Sequence, residues 1–177
     1  MAFNRKARLS GNIEAIRTAF TLDREHCVPT AEERKTLERY CGFGGLKCIL
    51  NPTGSLADAA QWTKSDLDLF APTAELHRLI RENSPDERTY KRYMDSLKSS
   101  VLTAFYTPAE ITETISGVLK ENGIAPLRML EPSAGRGAFV DAFLKDNPQA
   151  EVMAFEKDLL TGKILSHLYP EQRVRIE

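Results

Sequence analysis

The chain has 177 residues, 42% hydrophobic and 28% charged, with 24 basic side chains against 25 acidic ones and a net charge of −1. Such a composition belongs to a folded globular protein, not a disordered one, and the balanced charge excludes a large general clamp for nucleic acid while allowing a local basic face. No apolar run is long enough to span a bilayer, and the opening Met-Ala-Phe-Asn-Arg-Lys lacks the apolar core of a signal peptide, so a cytoplasmic protein without a membrane partner is expected.

Residues 1–100 read as helices joined by loops. Leu9, Ile13, Ile16, Ala19 and Phe20 recur at helical spacing and predict an amphipathic first helix. Thr30 and Glu33 form a capping-box pattern for a second helix running to about Tyr40, which Gly42-Phe43-Gly44-Gly45 is expected to stop. The stretch from Asn51 to Ser65, with Pro52, Gly54 and Trp62, reads as loop. A third helix is predicted from Pro72 to Glu82 and a fourth from Pro85 to Ser99. The fourth carries Arg88, Lys91, Arg92 and Lys98, a candidate phosphate-contacting face or simply a solvated one. Cys27, Cys41 and Cys48 match no zinc or disulfide spacing and read as reduced, partly buried thiols. His26 beside Cys27 has no second ligand pair, so no metal is expected.

The character changes near residue 101. Val101 to Tyr106 is a short apolar segment ending in Thr107-Pro108, and helix 108–121 follows with Ile111, Ile115, Val118 and Leu119 on one face. Then come strand 127–131, helix 137–146, strand 152–156, helix 158–168 and a third strand beginning at Arg173. Strands alternating with helices at this spacing predict an α/β fold with a parallel, open, doubly wound sheet, preceded by an all-helical region. Two domains are therefore expected, 1–100 and 101–177.

The turn between the first strand and its helix reads Glu131-Pro132-Ser133-Ala134-Gly135-Arg136-Gly137. Glycine adopts positive φ without penalty and lets a ligand approach the main chain, and a helix starting there aims N–H groups at an anion in the turn. The turn therefore reads as a cradle for a nucleotide-type cofactor, with an ordinary strand–turn–helix as the alternative. Glu156 ends the second strand, 19 residues after Gly137, where an acid can accept hydrogen bonds from two ribose hydroxyls. A dinucleotide fingerprint would need glycine or alanine at position 140, where Val140 stands.

Taken together, Phe105-Tyr106-Thr107-Pro108, Leu130 to Gly137 and Phe155 to Asp158 resemble the N-terminal cofactor region of the amino-methylating, adenine-specific DNA methyltransferases. The resemblance implies a partial Rossmann-like sheet of about three parallel strands, S-adenosylmethionine as cofactor and DNA as partner of the full-length protein. It implies that Tyr106, Thr107 and Pro108 lie against the methionine end of the cofactor. Glu131, Pro132, Ser133, Ala134, Gly135 and Gly137 would wrap that same end, and Glu156 would hold the ribose. Lys157 stands where many relatives place an apolar residue against the adenine, and its aliphatic stem could substitute. Asn12-Ile13-Glu14-Ala15-Ile16 and Tyr40-Cys41-Gly42-Phe43-Gly44-Gly45-Leu46 resemble the leader of methylase–helicase proteins of bacterial conjugative elements. For Gly42 to Gly45 a plain helix stop is the other reading.

The family's Asn/Asp-Pro-Pro-aromatic tetrapeptide, which accepts the adenine amino hydrogens and stacks on the flipped base, has no counterpart here. Asn51-Pro52-Thr53 and Asn147-Pro148-Gln149 read as turns. The expectation is a truncated, cofactor-binding half of a methyltransferase with no catalytic residues of its own, unable to transfer a methyl group alone. The competing expectations are a non-catalytic scaffold or DNA-docking module with a vestigial pocket, and a small-molecule methyltransferase.

Overall fold

The computed structural model describes residues 4–177. It divides into two compact units, with the boundary in the chain between Ala104 and Phe105. Among the described residues no helix is long and apolar enough to cross a membrane.

The first unit is helical. Helix α1 (Arg5–Glu25) begins at Asn4, whose side chain accepts the Ala7 N–H, and ends at His26 in a left-handed conformation. Its periodic apolar face is buried as the spacing predicts, with Leu9, Ile13 and Ile16 at 2% exposure or less. Each such side chain contributes roughly 1.5–3 kcal/mol of burial energy. Helix α2 (Ala31–Leu37) carries the full capping box between Thr30 and Glu33. It stops three residues short of Tyr40, and glycine does not cap it: Glu38 sits at its end in right-handed conformation. Tertiary contacts end the helix, because Tyr40 turns into the core and the buried Asn12 accepts the Cys41 N–H and donates to the Gly42 carbonyl.

The segment read as loop contains a short 3-10 helix, Leu56–Gln61. Helix α3 (Phe70–Glu82) starts two residues before the expected point, and α4 (Glu87–Thr103) extends four residues past Ser99, so Val101 belongs to its last turn. The rings of Phe20 and Tyr93 meet edge to face at 5.2 Å and join α1 to α4. Of the three cysteines, Cys48 is buried, Cys41 is partly buried and Cys27 is exposed, contrary to expectation, because it follows the end of α1.

The second unit is α/β: a parallel sheet of order β1-β2-β3 formed by Arg128–Glu131, Glu151–Glu156 and Arg173–Ile176. Glu131 pairs with Ala154 and Glu156 with Ile176, so β1 and β2 deliver their last residues to the same end of the sheet. Helices α6 (Ala138–Asp146) and α7 (Leu159–Leu168) connect the strands. Val140, Phe143, Val152, Ala154 and Leu165 form the core, with Met129, Leu144, Tyr169 and Val174 packed around it.

Helix α5 (Ala109–Glu121) departs from its reading. Ile111, Ile115 and Val118 are exposed, while Thr112 and Ser116 are the buried residues of the helix. Polar contacts hold it to α6 instead: Ser116 Oγ donates to the Ala142 carbonyl at 3.0 Å, and Lys120 Nζ pairs with Asp146 at 2.8 Å. Strand β1 is an edge, with Leu130 exposed within it and Leu127 exposed just before it.

Candidate functional site

The turn from Glu131 to Gly137 lies at the carboxyl end of the sheet, where open α/β sheets bind ligands. Gly135 has φ +55° and Gly137 φ +91°, both in the left-handed region that strains other residues. The spaces beside them are filled by the protein's own rings. A β-carbon on Gly135 would lie 2.9 Å from Tyr106 ring atoms, and one on Gly137 would lie 2.4 Å from Tyr169 Cε2.

The amides of the turn are largely spent within the chain. Ser133 N–H donates to Glu131 Oε1 at 3.0 Å, and Ala134 N–H to the Phe155 carbonyl at 2.9 Å. Gly135 N–H donates to Glu156 Oε2 at 2.7 Å, and Gly137 N–H to the Ala134 carbonyl at 2.8 Å. The anion expected in the turn is thus the protein's own Glu156. Its other oxygen, Oε1, accepts the Asp158 N–H at 2.7 Å. Burial pushes the Glu156 carboxyl above its ordinary range, partly countered by those amide bonds, while the neighbouring Asp158 charge adds to the rise.

The structure brings Tyr106, Gly135 and Glu156 together: the ring lies against the glycine whose amide the carboxylate holds. Ala134 and Gly137 are buried within the same turn. Pro132 and Ser133 lie on its exposed shoulder, and Lys157 is exposed after β2. Thr107 is half-buried, and Pro108 is the exposed N-cap of α5.

Three contributors have no role assigned from the sequence. Asp158 caps α7 by accepting the Thr161 N–H at 2.8 Å, a pattern that Asp-x-x-Thr before an apolar run could have signalled. The Thr161 hydroxyl lies 3.3 Å from the Tyr106 hydroxyl, and the Tyr169 hydroxyl donates to the Gly137 carbonyl at 3.2 Å. Contacts spanning 55 and 32 residues leave no local trace. Among the described residues no cluster of ligating side chains could hold a metal ion.

Chemically, the arrangement offers carboxylate acceptors beside a closed glycine turn. The Glu156 carboxylate accepts the Gly135, Asp158 and Lys157 amides and keeps acceptor capacity for a ligand hydroxyl. The turn presents a poor nest for phosphate, since four of its amides have internal acceptors and two of those acceptors are carboxylates. No family model matches the chain, and no curated protein or solved structure matches it.

Proposed function

We propose that the second unit is the cofactor-binding part of an S-adenosylmethionine-dependent, adenine-specific DNA methyltransferase of the kind its motifs resemble. The observation that carries this reading is the commitment of the glycine turn to the carboxylates of Glu131 and Glu156. A pyrophosphate would meet negative charge and few amides there, whereas a ligand bearing sugar hydroxyls and positive charge would meet acceptors. S-adenosylmethionine has that chemistry, and the residues present fit it. The parallel order β1-β2-β3 agrees with half of a Rossmann-like sheet.

On this reading the Glu156 carboxylate holds the ribose through its remaining acceptor capacity, and the Gly135, Asp158 and Lys157 amides keep it aimed. Glu131, Pro132, Ser133, Ala134, Gly135 and Gly137 enclose the amino-acid end, together with Tyr106, Thr107 and Pro108. The stem of Lys157 covers the adenine. The cofactor, when bound, supplies a methyl group on a sulfonium centre. The family's adenine-holding tetrapeptide has no counterpart among these residues, so on this reading the chain's part is cofactor binding and not methyl transfer.

Calorimetry with S-adenosylmethionine and its demethylated product tests the reading. Binding to the chain is expected, and Glu156→Ala should weaken it by about 1–3 kcal/mol, the scale of lost hydrogen bonds to a charged group. A chain that binds neither compound, or binds them equally well after Glu156→Ala, overturns it. Turnover of adenine-containing DNA by the chain alone would overturn the division of labour.

A further inference from the structure

A concave feature lies in the helical unit and owes nothing to the glycine turn. A cleft of about 520 Å3 opens between loop 50–54 and helices α3 and α4, within the size range of small-ligand sites. Its loop wall is pinned. His77 on α3 lies 2.8 Å from the Ile49 carbonyl through Nε2 and 2.8 Å from Thr53 Oγ1 through Nδ1. A carbonyl can only accept, so Nε2 carries the proton and donates it to Ile49, and in the neutral ring Nδ1 accepts the Thr53 hydroxyl. Trp62 Nε1 holds the same loop by donating to the Pro52 carbonyl at 3.1 Å. Both nitrogens of His77 are thus occupied in shaping the wall, which leaves the ring no role as a base.

The opposite wall is cationic and aromatic. The Arg81 guanidinium lies over the Tyr90 ring, 3.4 Å from its centroid, and pairs with Glu87. Arg78, one turn earlier, is exposed and reaches Glu82 only at 3.9 Å. Leu50, Pro52 and Met94 add apolar surface, and no Asp or Glu lines the cleft.

We propose that this cleft binds a nucleotide, with its phosphate paired to Arg78 and Arg81 and its base laid on the apolar surface between loop 50–54 and Met94. The two halves of the lining favour a ligand that is anionic at one end and apolar at the other, the phosphate competing with the exposed Glu82 and Glu87 for the two guanidinium groups. A bare anion has no use for the apolar surface, and a neutral apolar ligand has none for two guanidinium groups, whose planar forks match phosphate oxygens. The nucleotide is either free or one unit of a single strand. The exposed Arg88, Lys91 and Arg92 in the first two turns of α4 offer charge to neighbouring phosphates in the second case.

The test uses the full chain, isotopically labelled for amide NMR and titrated separately with AMP, a single-stranded oligodeoxyadenylate and inorganic phosphate. Both nucleotide ligands, or either one, should shift Thr53, Arg78, Tyr90 and Met94. Arg78→Gln, at an exposed site and checked by circular dichroism for an unchanged fold, should weaken binding at least fivefold. Saturation by AMP identifies a free nucleotide, and binding of the oligonucleotide alone identifies a strand. The proposal is overturned if neither nucleotide ligand shifts these residues, if inorganic phosphate binds as tightly as they do, or if Arg78→Gln binds like wild type. Residues 130–137 report in the same spectra, so the methyl-donor site stands or falls separately.

Discussion

The Tyr106 ring occupies the space that a β-carbon on Gly135 would need, with two of its atoms 2.9 Å from that position. Gly135 also holds φ +55°, so substitution meets two penalties, one from the ring and one from the backbone. Gly135→Ala should destabilise the second unit by about 2–3 kcal/mol, combining a left-handed alanine with an overpacked contact. In a Tyr106→Ala background the clash is gone and the added cost of Gly135→Ala should fall to about 1 kcal/mol. Urea unfolding of the four proteins in this cycle measures the coupling, and additive effects would show that the ring does not rest on the glycine.

Glu156 gives the site a pH signature. Its native carboxyl is raised above the ordinary value of 4.5, mainly by burial, so the folded protein holds the proton more tightly than the unfolded chain. The corresponding stability is complete below the unfolded value and is lost as pH rises through the raised native one. Wild type should therefore lose stability relative to Glu156→Gln as pH climbs from 4.5, the opposite of a salt-bridged carboxylate. Affinity for S-adenosylmethionine should move the other way over the same interval, because the ionised oxygens accept hydroxyl protons. Carbon NMR of the Glu156 carboxyl, alongside unfolding and calorimetry from acid to neutral pH, tests both signs; a midpoint at or below 4.5 contradicts them.

The parts of this protein that were legible in its sequence are those written in local chemistry. The period of Leu9, Ile13 and Ile16 predicts α1, and the apolar run before Glu131-Pro132 predicts β1, because burial and turn residues act over a few positions. Gly135 and Glu156 were legible for the same reason, one as a turn residue and one as the acid ending a strand. The end of α2 was not, since Asn12 and the core around Tyr40 decide it from a distance. Helix α5 shows a further limit. Periodicity identifies the apolar face of Ile111, Ile115 and Val118, but says nothing of whether another element covers it.

Asn12 joins the two N-terminal segments that the sequence had singled out separately. It is fully buried, accepts the Cys41 N–H at 2.9 Å and donates to the Gly42 carbonyl at 2.8 Å. Arg8 Nε also donates to the Gly42 carbonyl, at 3.2 Å, so Asn12→Ala would leave that oxygen satisfied and orphan mainly the Cys41 amide. The expected loss is about 2 kcal/mol, one unsatisfied buried donor plus a small cavity. Arg8→Ala combined with Asn12→Ala should cost more than the sum of the two, because only the pair strips the carbonyl of both donors. Thermal unfolding of the three variants decides this; strict additivity would mean the loop is held by other contacts.

At the far end of the glycine turn, Tyr169 plays the part that Tyr106 plays at Gly135, with an added hydrogen bond from its hydroxyl to the Gly137 carbonyl at 3.2 Å. Packing and polar contributions can be separated here. Tyr169→Phe keeps the ring and should cost about 1 kcal/mol, the net worth of one hydrogen bond. Gly137→Ala should cost upwards of about 3 kcal/mol, since its β-carbon would fall 2.4 Å from the ring and 3.0 Å from Leu165 Cδ1, at φ +91°. Leu165 is a core residue, so the ring has little room to retreat. Because Gly137 starts α6, displacement of the ring should also loosen that helix, and amide exchange should quicken at Val140 and Asp141 in Gly137→Ala but stay near wild type in Tyr169→Phe. Equal exchange in the two variants would place the restraint in the hydroxyl rather than in the packing of the ring.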